Sequence, residues 1–352
     1  MMAARPCRVG CWGRAMSNLL LTRAIHLEPF VSSMKRSGAP ADLWLNKFGI
    51  PASMQFSRDN ILAQRAVWSF AEYAAAREGH LMMGYECAME APISMPDGIA
   101  GIPINSSHFC LDVLEAFAKK MNRETTSTRM CLMKRNDEFW FLRQPPKRGL
   151  PIPWQSELYS TTIFLRVVQL CLGLDWLPAK MRFQTRKDQV IIPEQWSNAS
   201  ITFGDICSGF AIPTKDLVKS LKFKGSASEK TSDERLNLAC WKDDPARILK
   251  RLILPYVVDE RGVNVCQISD ALGVTVRTFQ RELAKTGNTF SKLVNEIRFD
   301  YARSRLEDPG TRIIDIAIEL GYKNSGDFAR AFSRRAGVSP REFRMFHRTN
   351  SN

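Results

Sequence analysis

The chain has 352 residues, enough for two to three domains of roughly 150 residues each. Apolar residues make up 45% of it, which excludes a wholly disordered chain because that much apolar surface can build a core. Lys and Arg number 50 against 36 Asp and Glu, and the resulting charge of +14 favours an anionic partner such as nucleic acid without indicating a fold.

Nine cysteines are scattered through apolar stretches and none forms a C-x-x-C pair. This odd number indicates buried thiols in a reducing compartment rather than a disulfide framework or a zinc site. The longest apolar stretch, Ile163–Leu174, is interrupted by Arg166 and Gln169 and is too short to span a bilayer. We therefore expect a cytoplasmic protein with no metal, no cofactor and no membrane contact.

The N-terminus superficially suggests a signal peptide, because basic residues precede the leucines at 19–21. Arg23 and His26 cut that apolar run short, and no small-residue cleavage site follows it. Met16 is an alternative start, so residues 1–16 are interpreted as an upstream extension.

The segment 17–221 predicts a mixed α+β domain. Its first part, 17–90, is mainly helical in pattern, with an amphipathic stretch over Arg58–Arg77. The polar residues at 105–107 are suited to cap a helix that ends near Met121.

The pattern then changes to one that includes strands. Thr126–Lys134 and Glu138–Arg143 predict a hairpin, and Gln155–Leu172 predicts a helix that is apolar almost all round and therefore buried. Three short strands follow, at Lys180–Phe183, Ser200–Phe203 and Gly209–Ile212.

Residues 222–239 have almost nothing to bury and are interpreted as the linker to a second domain over 240–352. Asp244 and Pro245 are typical of a helix start, and Pro255 is expected to kink or end that helix.

An internal repeat within 262–348 is the most informative feature of the sequence. Each copy has a short helix, a glycine turn, a second helix with two apolar residues four apart, and a closing glycine. In the first copy these positions are Ile268, Leu272, Gly273, Phe279, Leu283, Gly287 and Thr289. In the second copy they are Ile316, Leu320, Gly321, Phe328, Phe332, Gly337 and Ser339. The pattern predicts two helix-turn-helix units, here called the first HTH and the second HTH.

Residues 289–306 predict a connector helix with Thr289 as its cap. At 1.5 Å per residue it would be about 27 Å long. One turn of duplex DNA is about 34 Å, so the connector can hold both HTH units against successive major grooves on one face of the DNA.

The repeat and its terminal motif, Gly337-x-Ser339-Pro340-x-x-Phe343-Arg344, resemble the DNA-binding domain of AraC-type transcription regulators. The resemblance implies an all-α DNA-binding domain behind an effector-sensing and dimerisation domain. Short motifs in the first domain are similar to ornithine-utilisation-type regulators of that family. They are Met181–Phe183, Phe203-Gly204 and Phe210–Pro213.

Family geometry assigns the exposed faces of two recognition helices to particular residues. In the first HTH they are Thr275, Arg277, Thr278, Gln280 and Arg281, and in the second they are Asn324, Ser325, Gly326 and Arg330. Arg pairs bidentately with guanine and Gln with adenine in the major groove. Ser325 and Gly326 have little reach, so we expect the first HTH to read most bases and the second to contact mainly the backbone.

Several of these residues have a plainer interpretation. Arg298 and Arg303 on the connector fit surface or packing roles, and the four repeated apolar positions of the recognition helices fit a core. Arg330 is either exposed or a buried structural arginine. The arginines that follow it, at 334, 335, 341, 344 and 348, form either a solvated face or phosphate contacts.

The sequence contains no motif of a hydrolase, a nucleotide-binding loop, a zinc protease or a dinucleotide fold, and we expect no enzyme activity. One enzyme alternative is a DNA-alkyl transferase, which requires a reactive cysteine and a zinc-binding set. Cys7 and Cys11 have no second pair nearby, which argues against it.

The resulting hypothesis is a sequence-specific transcription regulator, by resemblance an activator, that responds to an unidentified small molecule. Its expected partners are double-stranded promoter DNA, RNA polymerase and a second copy of the chain. The effector pocket is expected between the hairpin at 126–143 and the helix at 155–172, although Arg129, Arg143 and Arg166 there also fit ordinary structural roles. The alternative is an architectural DNA-binding protein without an effector.

Overall fold

The computed structural model describes ten stretches of the chain. They are 19–57, 59–92, 109–126, 128–136, 138–145, 152–187, 190–219, 245–259, 262–308 and 310–350. The linker at 222–239 and the extension at 1–16 lie outside them. The chain divides into two compact units. The N-terminal unit is built from the described parts of Asn18–Phe48 and Phe56–Cys240, and the C-terminal unit from Gly49–Gln55 and the described part of Trp241–Asn352.

The helices of the N-terminal unit surround a small sheet. They are α1 (Glu28–Arg36), α2 (Ala41–Lys47), α3 (Gln64–Glu78), α4 (Met83–Glu90), α5 (Cys110–Met121), α6 (Trp154–Leu172) and α7 (Thr214–Leu217). Helix α6 is buried along most of its length, as its all-round apolar pattern predicts.

Seven strands lie in the described part of this unit. They are β1 (Leu21–Arg23), β2 (Ile61–Ala63), β3 (Arg129–Arg135), β4 (Glu138–Gln144), β5 (Lys180–Arg182), β6 (Ser200–Thr202) and β7 (Ser208–Pro213). Strands β1 and β2 pair antiparallel, and the other five form a sheet in the order β3-β4-β7-β5-β6. The predicted hairpin and the three predicted short strands thus belong to one sheet. Within that sheet only the β5–β6 pair is parallel.

Aromatic rings join that sheet to the helices behind it. The Phe141 ring of β4 lies 5.3 Å from Phe164 of α6 and 6.1 Å from Phe117 of α5, between ring centroids. Helix α4 approaches α6 closely at Gly84, where an added Cβ would lie 2.1 Å from the carbonyl oxygen of Gln155. The absence of a side chain at Gly84 therefore permits this packing.

The boundaries differ from the sequence prediction at two places. Ile61 and Leu62, expected on an amphipathic helix, lie in β2, and α3 begins only at Gln64, because pairing with β1 takes up this fully buried stretch. Helix α5 ends at Met121 as expected, but it begins at Cys110, later than a cap at 105–107 implies; residues 105–107 lie outside the described residues.

The C-terminal unit is all helical in its described residues. Its helices are α8 (Pro245–Val257), α9 (Val265–Leu272), α10 (Val276–Lys285), α11 (Phe290–Glu307), α12 (Ile313–Glu319), α13 (Ser325–Ala336) and α14 (Pro340–Asn350). Pro255 lies inside α8 without ending it, since the flanking Ile253 and Tyr256 are both buried and hold the last turn in place. The fold class is thus an α+β unit followed by an all-α unit, as the sequence predicts.

No helix in the described stretches is both long and apolar enough to cross a membrane.

Candidate DNA-binding site and internal cavity

The first HTH consists of α9 and α10, joined by a tight turn at Gly273. This glycine ends α9 with a φ of 66°, in the left-handed region that a residue with a Cβ adopts at a cost. Thr275 then caps α10, because its Oγ1 accepts a hydrogen bond from the backbone N–H of Thr278 at 3.1 Å. Phe279 and Leu283 bury one face of α10 in the unit, which orients the helix.

The opposite face of α10 presents long polar side chains to solvent. Arg277, Gln280 and Arg281 are all exposed, and their spacing of three and four residues puts them on neighbouring positions of the helix surface. Thr275 is exposed and Thr278 is half-buried at the start of the same helix. Three of the five residues predicted for the first HTH therefore lie on the exposed side of α10, and the two threonines lie at its start.

The second HTH repeats this arrangement with α12 and α13. Gly321 adopts a φ of 72°, and Asn324 caps α13 by accepting a hydrogen bond from the N–H of Asp327 at 2.8 Å. Asn324 also donates to the Asp327 carboxylate at 3.0 Å, and Arg330 forms an ion pair with the same carboxylate. Phe328 and Phe332 are buried, as predicted for all four repeated apolar positions.

The predicted residues of the second HTH differ in their availability. Asn324 is exposed, but its side chain is engaged as the cap, and Ser325 is half-buried. The side chain of Arg330 is 73% exposed, so the interpretation of Arg330 as a buried structural arginine is wrong.

Helix α11 connects the two HTH units and is held by polar contacts on both sides. Lys250 of α8 lies 3.1 Å from Glu296 and 3.0 Å from Asp300 of α11. Near its other end, the Glu319 carboxylate of α12 accepts hydrogen bonds from Tyr301 at 3.0 Å and from two nitrogens of Arg305 at 2.8 and 3.1 Å. Burial and this carboxylate raise the pKa of Tyr301, which keeps its hydroxyl protonated as a donor.

Two arginines of α11 pack against aromatic rings. The guanidinium carbon of Arg298 lies 5.6 Å from the centre of the Tyr322 ring, and that of Arg303 lies 5.9 Å from the Phe343 ring. These contacts confirm the packing interpretation of both residues.

The arginines of α13 and α14 differ in their exposure and in their contacts. Arg334, Arg335 and Arg341 are exposed, whereas Arg344 is half-buried and donates to the carbonyl of Thr311 at 2.6 Å. The side chain of Arg348 lies outside the described residues. Arg344 thus has a structural contact and Arg335 packs on the Phe299 ring at 5.0 Å, whereas Arg334 and Arg341 are exposed and suited to contact phosphates.

A cavity lies inside the N-terminal unit, among α3, the β3–β4 hairpin and α6. Its volume is about 70 Å³, counted as the space that the centre of a water molecule can occupy, and the cavity is partly open to solvent. Arg143 of β4 and Ser156, Tyr159 and Ser160 of α6 line it, together with Trp68 of α3. Its position agrees with the region that the sequence analysis suggested for an effector.

Arg143 and Arg166, two of the three arginines considered there, have different surroundings. Arg143 is buried and lines the cavity, where its Nη1 donates to Ser160 Oγ at 2.8 Å and to the Ser156 carbonyl at 3.1 Å. Arg166 donates to the carbonyls of Ala88 and Ala91 and so fixes the end of α4, and it does not line the cavity. No local sequence pattern separates these two arginines, because burial at both positions depends on elements distant in the chain.

Of the six cysteines in the described residues, four are buried, Cys131 is half-buried and Cys266 is exposed. No group of three or more His, Cys, Asp or Glu residues suited to a metal ion occurs in that part of the chain. Cys87 is buried, and its burial raises the pKa of its thiol to about 12, which disfavours the reactive thiolate. Cys7 and Cys11 lie outside the described residues.

Comparison with known proteins agrees with this geometry. Residues 268–345, which include the turns and recognition helices of both HTH units, match a family model described as a helix-turn-helix domain. The fold and this match show a helix-turn-helix domain in the C-terminal unit, and they support DNA-binding transcription regulation as the class of function.

Individual relatives extend the similarity beyond that domain. The HTH-type transcriptional regulator VirS of Mycobacterium tuberculosis is 23% identical over 335 residues, which cover 93% of this chain and 97% of VirS. The HTH-type transcriptional activator RhaS of Escherichia coli is 32% identical over 116 residues, 32% of this chain and 37% of RhaS. The crystal structure of the transcriptional regulator CdpR from Pseudomonas aeruginosa is 19% identical with a TM-score of 0.36, and the alignment covers 86% of this chain and 96% of that chain.

The matches to VirS and RhaS support the resemblance to AraC-type regulators. The resemblance of the first domain to ornithine-utilisation-type regulators stays a prediction.

Proposed function

We propose that this protein activates transcription by binding promoter DNA sequence-specifically through both HTH units, in response to a small molecule bound in its N-terminal unit. The observation that carries the proposal is the repeated recognition helix. Each copy is capped at its start, buried on its Phe-containing face and exposed on its polar face. The similarity to RhaS, whose name describes an activator, supports activation rather than repression.

The two recognition helices have different roles in this proposal. Arg277, Gln280 and Arg281 of α10 read base edges, because their exposed donors and acceptors suit the major groove. Thr275 and Thr278 lie at the helix N-terminus, where hydroxyl and backbone groups suit a phosphate. In the second HTH, Arg330 and the capped turn at Asn324 and Ser325 contact mainly the DNA backbone.

The internal cavity is the effector site in this proposal. It lies in the N-terminal unit between α3, the β3–β4 hairpin and α6, whereas the residues proposed to touch DNA belong to the C-terminal unit. Binding of the effector shifts the population toward the arrangement that presents the HTH units to the promoter, where RNA polymerase and a second copy of the chain are the expected partners.

The test is selection of genomic DNA fragments on the purified full chain, followed by affinity measurements at several salt concentrations. We expect enrichment of fragments with two half-sites about one helical turn apart, and an affinity well above that for scrambled DNA. Uniform recovery with a steep salt dependence would contradict sequence reading and favour the architectural alternative.

A further inference from the structure

Four buried polar atoms that line the cavity make no hydrogen bond to the described residues. They are Arg143 Nε, Trp68 Nε1, Tyr159 OH and Thr128 Oγ1. The four residues are between 6% and 8% exposed, so bulk water does not readily satisfy these atoms. Unsatisfied buried polar groups are rare and costly in folded proteins, and four around one cavity indicate that something else meets them there.

Arg143 adds a positive charge to this cavity, and Glu157 acts on it electrostatically without forming an ion pair with it. Both of its hydrogen bonds use Nη1 and end on neutral groups, the Ser156 carbonyl and the Ser160 hydroxyl. The opposite edge of the guanidinium, formed by Nε and Nη2, makes no hydrogen bond within the described part of the chain. That edge carries two parallel N–H groups, which is the geometry that binds a carboxylate bidentately.

The nearest buried carboxylate is already engaged elsewhere. Glu157 accepts hydrogen bonds from the backbone N–H groups of Gln184 at 2.8 Å and Thr185 at 3.0 Å, and from the hydroxyl of Ser208. Among the described residues no carboxylate oxygen comes within 4.0 Å of the Arg143 nitrogens. Burial lowers the pKa of Arg143 to about 10, which still leaves the side chain cationic at neutral pH.

The remaining lining of the cavity is mostly apolar. Phe30, Val67, Met130, Ile163 and Phe164 contribute side chains without polar atoms. The cavity volume of about 70 Å³ is the space open to the centre of a water molecule. By that measure one water molecule needs about 10–15 Å³. The enclosed part therefore has room for about five to seven atoms.

We propose that the cavity binds a small aliphatic carboxylate, with its carboxylate on the Nε–Nη2 edge of Arg143 and its short chain among the apolar side chains. Tyr159 and Trp68 donate the additional hydrogen bonds from their OH and Nε1 atoms. The inference rests on the proposed function, since it names the chemical class of the effector at the same site.

The first experiment measures thermal unfolding of the full chain with sodium propionate, butyrate and valerate at constant ionic strength. The matched controls are propionamide, butyramide and valeramide, which keep the shape and lose the charge, and the corresponding amines, which reverse it. We expect the carboxylates to raise the melting temperature in a saturable way. The apparent affinity of the amides should be at least tenfold lower, and the amines should cause no rise. An equal response to all three classes overturns the carboxylate assignment.

Substitutions of residues that line the cavity test whether the carboxylate binds there. Arg143→Gln is expected to lower the affinity for the carboxylate at least tenfold, and Arg143→Lys to retain part of it. Arg166→Gln is the control, because Arg166 is also a partly buried arginine of this unit that binds carbonyl oxygens, but it lies outside the cavity. If Arg143→Gln fails to fold, Tyr159→Phe and Trp68→Phe supply the same test, with several-fold losses expected. Unchanged affinity in these variants overturns the proposal.

DNA affinity measured on the same samples separates this inference from the proposed function. A response to amides or amines alone refutes the carboxylate while effector sensing stands. No response to any of these compounds, with sequence-specific DNA binding intact, refutes the proposed ligand class and leaves DNA reading unaffected. If the unmodified protein shows no sequence-specific DNA binding, the proposed function itself is refuted.

Discussion

Arg281 lies on the exposed face of α10 two residues after the buried Phe279 and two before the buried Leu283. This spacing directs its side chain away from the core, next to those of Arg277 and Gln280. Three long polar side chains on one helix face provide several hydrogen-bond donors and an acceptor in a small area. That combination is suited to base edges as well as to phosphates.

Substitution of Arg281 by alanine tests base reading directly. We expect a loss of about 1–3 kcal/mol in binding free energy on the selected DNA fragment, because a bidentate contact to guanine is removed. Scrambled DNA of the same length should lose much less. The measurement is the equilibrium affinity for both duplexes at one salt concentration.

The control is Arg186→Ala, which removes the same charge from an exposed position in the N-terminal unit. It should change both affinities slightly and equally. If Arg281→Ala weakens binding to selected and scrambled DNA by the same factor, Arg281 contacts phosphate and does not read a base.

At the scale of the elements, each recognition helix is fixed at its start by a side-chain cap. Thr275 caps α10 and Asn324 caps α13, and both hydrogen bonds satisfy backbone N–H groups that the helix itself leaves free. Asn324 therefore has a structural role in addition to the DNA contact predicted for it. The two roles make different demands on the side chain.

Asn324→Ala is expected to lower the free energy of unfolding by about 1 kcal/mol, because it removes the cap of α13. Asn324→Ser keeps a capping oxygen and shortens the side chain, so it should retain most of this stability. Chemical denaturation of both variants measures the effect. DNA affinity then separates the roles: if Asn324→Ser keeps the stability and loses affinity, the side chain contacts DNA as well as capping the helix.

At the scale of the whole molecule, one chain carries two recognition helices on a connector of defined length. Helix α11 has 18 residues and is therefore about 27 Å long. Ion pairs and hydrogen bonds from α8 and α12 hold it on both sides. A connector of this kind fixes the spacing of the half-sites, whereas a flexible tether would tolerate a range of spacings.

Insertion of base pairs between the two half-sites tests whether the connector fixes their spacing. We expect five extra base pairs to reduce the affinity to nearly that of a single half-site, because the second half-site then lies on the opposite face of the duplex. Ten extra base pairs should be equally damaging, since they restore the face but add about 34 Å, more than α11 spans. Recovery of affinity with ten base pairs would contradict a rigid connector and indicate that the HTH units move independently or belong to two chains.

Local sequence patterns alone predicted the repeat, the two glycine turns, the cap at Thr289 and the buried apolar positions of the recognition helices. All of these depend on residues within a few positions of one another, and local patterns of apolar spacing and capping express such interactions directly. The hairpin and the buried helix α6 were predictable for the same reason.

Tertiary structure alone decided the features that depend on distant pairing. Ile61 and Leu62 fit an amphipathic helix in sequence, and only the pairing with Leu21–Arg23 makes them a strand. Arg143 and Arg166 look equivalent in the sequence, but only Arg143 lines a cavity that α3, β3–β4 and α6 enclose together. Burial of a polar group and the supply of its partners are properties of the assembled core, because the surrounding atoms come from residues far apart in the chain.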